Sequence, residues 1–159
     1  MNKAILLLGG NMGDRGAFID IATASIEKLG TITSKSTIYE SEAWGFDSDQ
    51  NFLNIALQLN TLCTADKLLE QLQTIENKMG RLRSDSGYTS RNIDIDILFY
   101  NSDITDTKSL IIPHPRLHQR MFTLLCLMDI MPNYIHPTLN KSIKTIKQEC
   151  NDNVKVWKH

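Results

Sequence analysis

The chain has 159 residues, 42% of them hydrophobic, and a formal net charge of −1. This size fits one domain, residues 1–159, with a substantial core, and the near-neutral charge argues against binding of nucleic acid or an anionic membrane. The apolar run at 4–8 is too short for a secretion signal, and no stretch is long enough to span a membrane. The three cysteines are odd in number and show no short-spaced pairing, which is typical of reduced thiols. Because thiols stay reduced in the cytosol, the chain is expected to be cytoplasmic.

The first sixty residues alternate between strand and helix patterns. Residues 3–8 predict a buried strand that ends in a glycine-rich turn, and apolar spacing over 18–29 predicts a helix. A strand at 31–39 follows, rich in Thr and Ile, and then a loop at 40–50. The next strand, around 53–59, places its leucines and isoleucine on one face.

The remainder of the chain completes a recognisable element order. Apolar spacing predicts a helix over 68–79, and a polar loop leads from it into a strand within 91–100. The order β-α-β-β-α-β is that of the ferredoxin-like fold. Two more helices, over 117–131 and 139–150, would cover the second face of the sheet. We therefore predict an α+β protein: a three-layer αβα sandwich around a mainly antiparallel sheet.

The segment R-N-I-D-I-D-I-L-F-Y, residues 91–100, carries a pair of carboxylates. On a strand, Asp94 and Asp96 share one face, with Cα atoms about 6.5–7 Å apart. At that distance two negative charges repel by about 0.6 kcal/mol in water and about 2.5 kcal/mol at an effective dielectric of 20. A partly buried pair therefore requires cations, and Mg²⁺ beside phosphates is the usual solution. The alternative is an ordinary solvated sheet face.

Basic residues lie just before this strand. Arg81, Arg83 and Arg91 flank a small, polar stretch at 84–90, a pattern that suits a lid closing over a polyphosphate. A solvated basic turn is the alternative. The glycine-rich turn at 9–13 does not match the specific phosphate-loop or dinucleotide patterns, so a tight turn without ligand remains open there.

Two further groups could contact a ligand. Trp44, Phe46 and Phe52 lie near Asn54, and aromatic faces with one amide suit a flat heterocycle, although clustered aromatic residues also form cores. His114 lies between two prolines, where it could be a site residue or an exposed turn residue. No Cys/His spacing matches a zinc site.

Six motifs, taken together, resemble those of the 6-hydroxymethyl-7,8-dihydropterin pyrophosphokinase family of folate biosynthesis. They are L-G-G-N-M-G-D-R at 8–15, Y-E-S-E-A-W-G at 39–45, F-L-N at 52–54, G-R-L-R at 80–83, R-N-I-D-I-D-I-L at 91–98 and I-P-H-P-R-L at 112–117. The family has the αβα ferredoxin-like fold. It transfers pyrophosphate from ATP to the hydroxymethyl group of the pterin and releases AMP.

The resemblance implies a role for each candidate residue. Asp94 and Asp96 would hold two Mg²⁺ ions, and Arg81 and Arg91 would stabilise the transferring group. The implied ATP contacts are Gln73, Glu76, Arg83, Tyr88, His114 and Arg120. The implied pterin contacts are Ser41, Glu42, Trp44, Phe52, Asn54 and Phe122, with Phe52 and Phe122 as the two faces of a sandwich. The expected partners are these two small molecules, with no nucleic acid or membrane, and the expected state is a monomer.

Two other functions stay compatible with the residues alone. A metal pair could serve nucleotidyl transfer or phosphodiester hydrolysis, which would release pyrophosphate or cut nucleic acid. A ferredoxin-like module could also bind a nucleotide without turning it over. The nucleotide product separates these functions, because only pyrophosphoryl transfer to the pterin yields AMP and the pterin diphosphate.

Overall fold

The computed structural model describes residues 1–80 and 92–159, which contain eight strands and four α-helices. The strands are β1 (Asn2–Gly10), β2 (Thr31–Lys35), β3 (Tyr39–Ser41), β4 (Phe52–Thr61), β5 (Asp94–Tyr100), β6 (Thr105–Asp106), β7 (Ile111–Ile112) and β8 (Val156–Lys158). The helices are α1 (Arg15–Ile26), α2 (Ala65–Lys78), α3 (Met121–Ile130) and α4 (Ile143–Glu149). Within this part of the chain, no helix is long and apolar enough to cross a bilayer.

One antiparallel sheet organises the fold. Its strands lie in the order β5-β1-β4-β3-β8, with β2 also paired to β4, and β6 and β7 form a separate small hairpin. Strands β1 and β4, adjacent at the centre, are nine and ten residues long and mostly buried. The predicted ferredoxin-like order and the mainly antiparallel sheet are therefore confirmed.

Each face of the sheet has its own hydrophobic core. Ile93, Ile95 and Ile97 belong to the first core, which also contains buried residues of α1 and α2. Leu7 and Ala56 belong to the second core, together with buried residues of α3 and α4. Because helices cover both faces, the three-layer αβα sandwich is confirmed.

Local sequence explains where the helices begin and end. The side chains of Asp14, Thr64 and Ser142 accept backbone N–H groups at the starts of α1, α2 and α4. These residue types are favoured at that position because their oxygen atoms satisfy N–H groups that have no partner within the helix. Gly80 follows α2 with a φ of +85°, a left-handed conformation that glycine adopts without a steric penalty.

Several element boundaries differ from the prediction. The strand predicted over 31–39 is two strands, β2 and β3, separated by residues 36–38. In this break the backbone N–H of Ser36 donates to the backbone oxygen of Ala56, and Oγ of Ser36 accepts the backbone N–H of Ala56. The helix predicted over 117–131 is a 3-10 turn followed by α3, with Arg120 in an extended conformation between them. The last helix begins at Ile143, not near residue 139, and the short strands β6, β7 and β8 were not predicted.

Candidate active site

A cleft of about 630 Å³ brings the predicted site residues together. Every predicted site residue that the structure describes lines it: Ser41, Glu42, Trp44, Phe52, Asn54, Gln73, Glu76, Asp94, Asp96, His114, Arg120 and Phe122. The four other predicted residues, Arg81, Arg83, Tyr88 and Arg91, lie outside the described residues. Segments far apart in the sequence thus contribute side chains to one cavity.

The strand register explains how the two halves of the site meet. Gly9 on β1 pairs with Asn54 on β4 and with Asp94 on β5, so these three residues form one row across the sheet. Neighbouring strands are about 4.8 Å apart, which separates the backbones of Asn54 and Asp94 by roughly 9–10 Å. Since Gly9 has no side chain, the row has a shallow trough between an amide and a carboxylate. In the next row on the same face of the sheet, two residues along each strand, Leu7 lies between Ala56 and Asp96.

Asp94 and Asp96 are both half-buried and face the cleft, not open solvent. The side chain of Asp96 is 30% exposed. Ile95, between them, is buried in the first core and fixes the alternation of the strand. The sheet face that carries the aspartates is therefore partly covered. This excludes the alternative interpretation of the sequence, in which the two aspartates lie on an ordinary, fully solvated sheet face.

Helix α2 contacts the acidic strand at its outer edge. Glu76 is only 3% exposed, and its Oε1 accepts the backbone N–H of Ile95 at 2.7 Å. In the part of the sheet that the structure describes, β5 pairs with β1 on one side only. The carboxylate of Glu76 thus takes the place of a neighbouring strand for one N–H group. Gln73, one turn earlier on the same helix, also lines the cleft.

His114 is a neutral hydrogen-bond donor beside the aspartates. Its Nδ1 accepts the backbone N–H of Arg116 at 3.1 Å, which leaves the ring proton on Nε2. That Nε2 atom lies 3.8 Å from Oδ2 of Asp96. Burial and the nearby guanidinium of Arg120 lower the pKa of His114 to about 4, against a smaller opposing effect of Asp94. The side chain is 18% exposed, so the exposed-turn alternative is wrong.

The chemistry of these donors fits Mg²⁺. Two carboxylates on one strand match the way this ion is usually held, by one or two protein carboxylates together with substrate phosphates and water. Within residues 1–80 and 92–159, no three His, Cys, Asp or Glu side chains form a group that could enclose a metal.

Asn54 is held rigidly at the other end of the row. Its side chain is buried, and its Nδ2 donates to Oγ of Ser41 at 2.9 Å and to the backbone oxygen of Tyr39 at 3.2 Å. Both N–H groups of the amide are thereby used, so the remaining capacity of Asn54 is as an acceptor through Oδ1. This oxygen lies over Gly9, where a Cβ atom would approach it to 3.2 Å.

Aromatic side chains and one guanidinium surround this amide. Phe46 and Phe52 make an edge-to-face contact with ring centroids 6.0 Å apart. The guanidinium of Arg120 lies 4.6 Å from the ring centroid of Trp44 and 5.9 Å from that of Phe122. Phe122 is nearly buried and also belongs to the second core, so aromatic packing and cleft lining are combined in one residue. Arg120, predicted as an ATP contact, lies among the predicted pterin contacts.

The cleft contains residues that sequence reasoning did not select. Arg116 lies two residues after His114 in the quoted I-P-H-P-R-L motif, which was the available signal. Leu69 lies one turn before Gln73 on α2, so helical spacing could have placed it on the same face. Gly9 could not have been selected without the strand register, because its contribution is the absence of a side chain.

The fold and the cleft define an α+β protein of ferredoxin-like topology with an acidic and an aromatic group in one cavity. Residues 5–132 match the family model described as 7,8-dihydro-6-hydroxymethylpterin-pyrophosphokinase (HPPK), and the chain belongs to this family.

Relatives agree with this assignment, and a solved structure agrees with the fold. The chain is 40% identical over 149 residues to the 2-amino-4-hydroxy-6-hydroxymethyldihydropteridine pyrophosphokinase of Aquifex aeolicus, covering 94% of this chain and 92% of the relative. It is 35% identical over 159 residues to the enzyme of the same name from Bacillus subtilis, covering 99% and 91%. A crystal structure of wild-type Plasmodium falciparum HPPK-DHPS with pteroate has a similar fold, with a TM-score of 0.72 at 20% identity, over 93% of this chain and 42% of that one.

Proposed function

We propose that the protein transfers the pyrophosphoryl group of ATP to the hydroxymethyl group of 6-hydroxymethyl-7,8-dihydropterin, giving the diphosphate ester and AMP. Its family membership makes it an ATP-using pterin pyrophosphokinase of folate biosynthesis. The proposal adds the roles of individual residues. It also adds that the working unit is one domain and a monomer.

The observation that carries the proposal is the row Asn54–Gly9–Asp94 across three strands. An amide that can accept a hydrogen bond lies on one side of the trough and the carboxylate pair on the other. A heterocycle bound at the amide and a phosphate chain bound at the carboxylates would meet above Gly9. Such placement supplies most of the catalysis in phosphoryl transfer, since the protein contributes mainly positioning and electrostatic stabilisation.

On the nucleotide side, Asp94 and Asp96 would hold two Mg²⁺ ions. When bound there, the ions would neutralise charge on the phosphates. His114 would donate its Nε2 proton to a phosphate oxygen, because its Nδ1 is already occupied by Arg116. Gln73 and Glu76, on the helix that flanks the acidic strand, would complete the nucleotide side of the cleft.

Four roles rest on the family resemblance alone. Arg81 and Arg91 would stabilise the charge of the transferring group, since guanidinium groups bind phosphate oxygens in a bidentate manner. Arg83 and Tyr88 would contact ATP. Arg120 would also belong to the nucleotide side and link the two halves of the site through its contact with Trp44.

On the pterin side, Asn54 would accept an N–H of the pterin edge through Oδ1. Ser41, Glu42 and Trp44 would add contacts to the same edge, largely through their backbone. Phe52 and Phe122 would stack on the two faces of the ring.

The hydroxyl oxygen of the pterin would attack the β-phosphorus, and the bond from that phosphorus to the α,β-bridging oxygen would break. AMP keeps this oxygen, and the hydroxyl proton passes to solvent, so we assign no general base.

The test is to identify both products. Purified protein is incubated with Mg²⁺, ATP and 6-hydroxymethyl-7,8-dihydropterin, and the mixture is resolved by ion-exchange chromatography and phosphorus NMR. AMP and a pterin diphosphate should form in equal amounts, and neither should form when Mg²⁺ or the pterin is left out.

Other nucleotide products would contradict the proposal. ADP would indicate transfer of a single phosphoryl group, and free pyrophosphate would indicate nucleotidyl transfer. Binding of ATP without any product would instead favour a binding module. Size-exclusion chromatography with light scattering, at the protein concentration of the assay, tests the monomer.

A further inference from the structure

The end of the described chain connects two walls of the cleft. We call residues 150–159 the strap; it lies beyond residues 5–132, which the family model matches. One wall is β3 and the residues after it, with Ser41, Glu42 and Trp44. The other is the start of α3, with Arg120 and Phe122. We propose that the strap fixes these walls relative to one another, and that Asp152 is a positioning residue for the pterin side of the site.

The strap bonds the α3 wall between its two cleft residues. Oδ2 of Asp152 accepts the backbone N–H of Met121 at 2.9 Å. Met121 is the first residue of α3, and Arg120 and Phe122 are its direct neighbours. The helix has no side-chain cap from Arg120 itself, so a carboxylate from a distant part of the chain satisfies an N–H at its positive end.

The strap also bonds the β3 wall, through its backbone. Strand β8 pairs with β3 in the register Ser41 to Val156, and the backbone N–H of Glu42 donates to the oxygen of Lys155 at 3.1 Å. In return, Oε2 of Glu42 accepts the N–H of Lys155 at 3.4 Å. On both walls, therefore, the bonded backbone lies within one or two residues of side chains that line the cleft.

The link between the walls is short. Only three residue steps separate Asp152 from Lys155, and three steps reach at most about 10–11 Å. A further bond, from the N–H of Val154 to Oδ1 of Asp152 at 3.1 Å, closes this segment into a turn. The walls meet where the guanidinium of Arg120 lies over Trp44, 4.6 Å from the ring centroid. A change at Asp152 should therefore loosen the α3 wall against the β3 wall.

This inference rests on the proposed function, because it assigns the walls to the pterin. It predicts a selective effect. Removing the carboxylate should weaken pterin binding, which depends on both walls, more than ATP binding, which depends chiefly on β5, α2 and His114 and has Arg120 as its one proposed contact on the α3 wall. A purely structural role would instead weaken both ligands together and lower the stability of the whole fold.

The test compares Asp152→Ala, Asp152→Asn and the control Glu149→Ala. Glu149 is an exposed carboxylate nearby in the sequence whose described ion pair is with Lys141, away from the cleft. We expect Asp152→Ala to raise the pterin Kd about tenfold in calorimetry, the effect of one lost contact at a helix N-terminus, and to change the KM for ATP less than about twofold. The carboxylate uses both oxygens, one for Met121 and one for Val154, and Asp152→Asn keeps only one acceptor, so it should restore part of the affinity. Glu149→Ala should match the wild type.

Hydrogen exchange provides a readout that needs no substrate. In Asp152→Ala, amide protons of residues 39–44 and 121–125 should exchange faster, and those of β1 and β4 should not. If the wild type forms no AMP, the proposed function is wrong. The exchange pattern would still test whether the strap fixes the two walls relative to one another. The inference is overturned if Asp152→Ala leaves the pterin Kd unchanged, weakens both ligands equally, speeds exchange throughout the sheet or abolishes cooperative melting.

Discussion

The carboxylate of Glu76 accepts the backbone N–H of Ile95 at 2.7 Å, the residue that separates Asp94 from Asp96. A helix on one face of the sheet thereby holds the edge strand whose other face presents the aspartates to the cleft. The bond is buried, so the N–H of Ile95 has no access to water if the acceptor is lost. Glu76 thus has a structural contact in addition to its place in the cleft lining.

This contact predicts different outcomes for two substitutions. Glu76→Ala leaves a buried N–H without its acceptor and should lower the free energy of unfolding by about 1–3 kcal/mol. Glu76→Gln keeps an acceptor oxygen and should cost less than about 1 kcal/mol. Guanidinium unfolding measures both, with Glu70→Ala as the control on the same helix. Glu70 makes an exposed ion pair with Lys67, so its loss should change stability very little. Equal effects for Ala and Gln would contradict the role of the bond.

The aspartates should be required for activity but not for folding. Asp96 is half-buried in the cleft, so Asp96→Asn removes a charge from a polar surface and relieves repulsion with Asp94. We expect AMP formation to fall by at least about a hundredfold, a loss typical of removing one preorganised electrostatic group. The melting temperature should stay the same or rise slightly. Asp106→Asn, an exposed carboxylate on β6, is the control. Retained Mg²⁺-dependent turnover, or loss of the melting transition, would refute the assignment.

The trough at Gly9 leads to a steric prediction. In Gly9→Ala the new Cβ would approach Oδ1 of Asn54 to 3.2 Å, and Asn54 is held in place by its bonds to Tyr39 and Ser41. The methyl group should therefore fill the trough and raise the pterin Kd by about tenfold or more, measured by calorimetry. Gly16→Ala is the matched control, since its Cβ would make only ordinary contacts. Pterin affinity equal to that of the wild type would show that the trough does not form part of the binding site.

The sequence predicted the fold well where the pattern is local. Alternation at Ile93, Ile95 and Ile97 placed the isoleucines in the core and the two aspartates on the opposite face, as the structure has them. The leucines and the isoleucine of β4 share one face as predicted, and all of them belong to the first core. These predictions succeed because a strand repeats every two residues, and each face must match its surroundings along the whole strand.

The sequence predicted poorly where contacts between distant segments decide the structure. Strand β8 has three residues, and its pairing with β3 spans more than a hundred positions, so no local pattern marks it. Arg120 interrupts the predicted helix because α3 starts at Met121, where Asp152 supplies the cap. The contact between Glu76 and Ile95 is of the same kind: the sequence placed Glu76 near the site without indicating what it bonds.

The ion pair between Glu40 and Arg15 predicts how stability depends on pH. Oε1 of Glu40 and Nη1 of Arg15 are 2.8 Å apart, and this hydrogen bond, reinforced by His159 and opposed by burial, lowers the pKa of Glu40 below its ordinary value of 4.5. A depressed pKa means that the folded state favours the ionised form. The contribution to stability is then complete above the unfolded pKa and is lost as the pH falls through the folded pKa.

Glu40→Gln should therefore be less stable than the wild type at pH 7, and the difference should shrink as the pH is lowered from about 5 to about 3. Denaturant unfolding at a series of pH values measures this difference. Glu27→Gln is the control, because Glu27 pairs with Lys35 at 3.6 Å with both side chains about half exposed, and such pairs contribute little. A difference between Glu40→Gln and the wild type that stays constant across this pH range would show that the carboxylate stabilises the fold through packing and not through its charge.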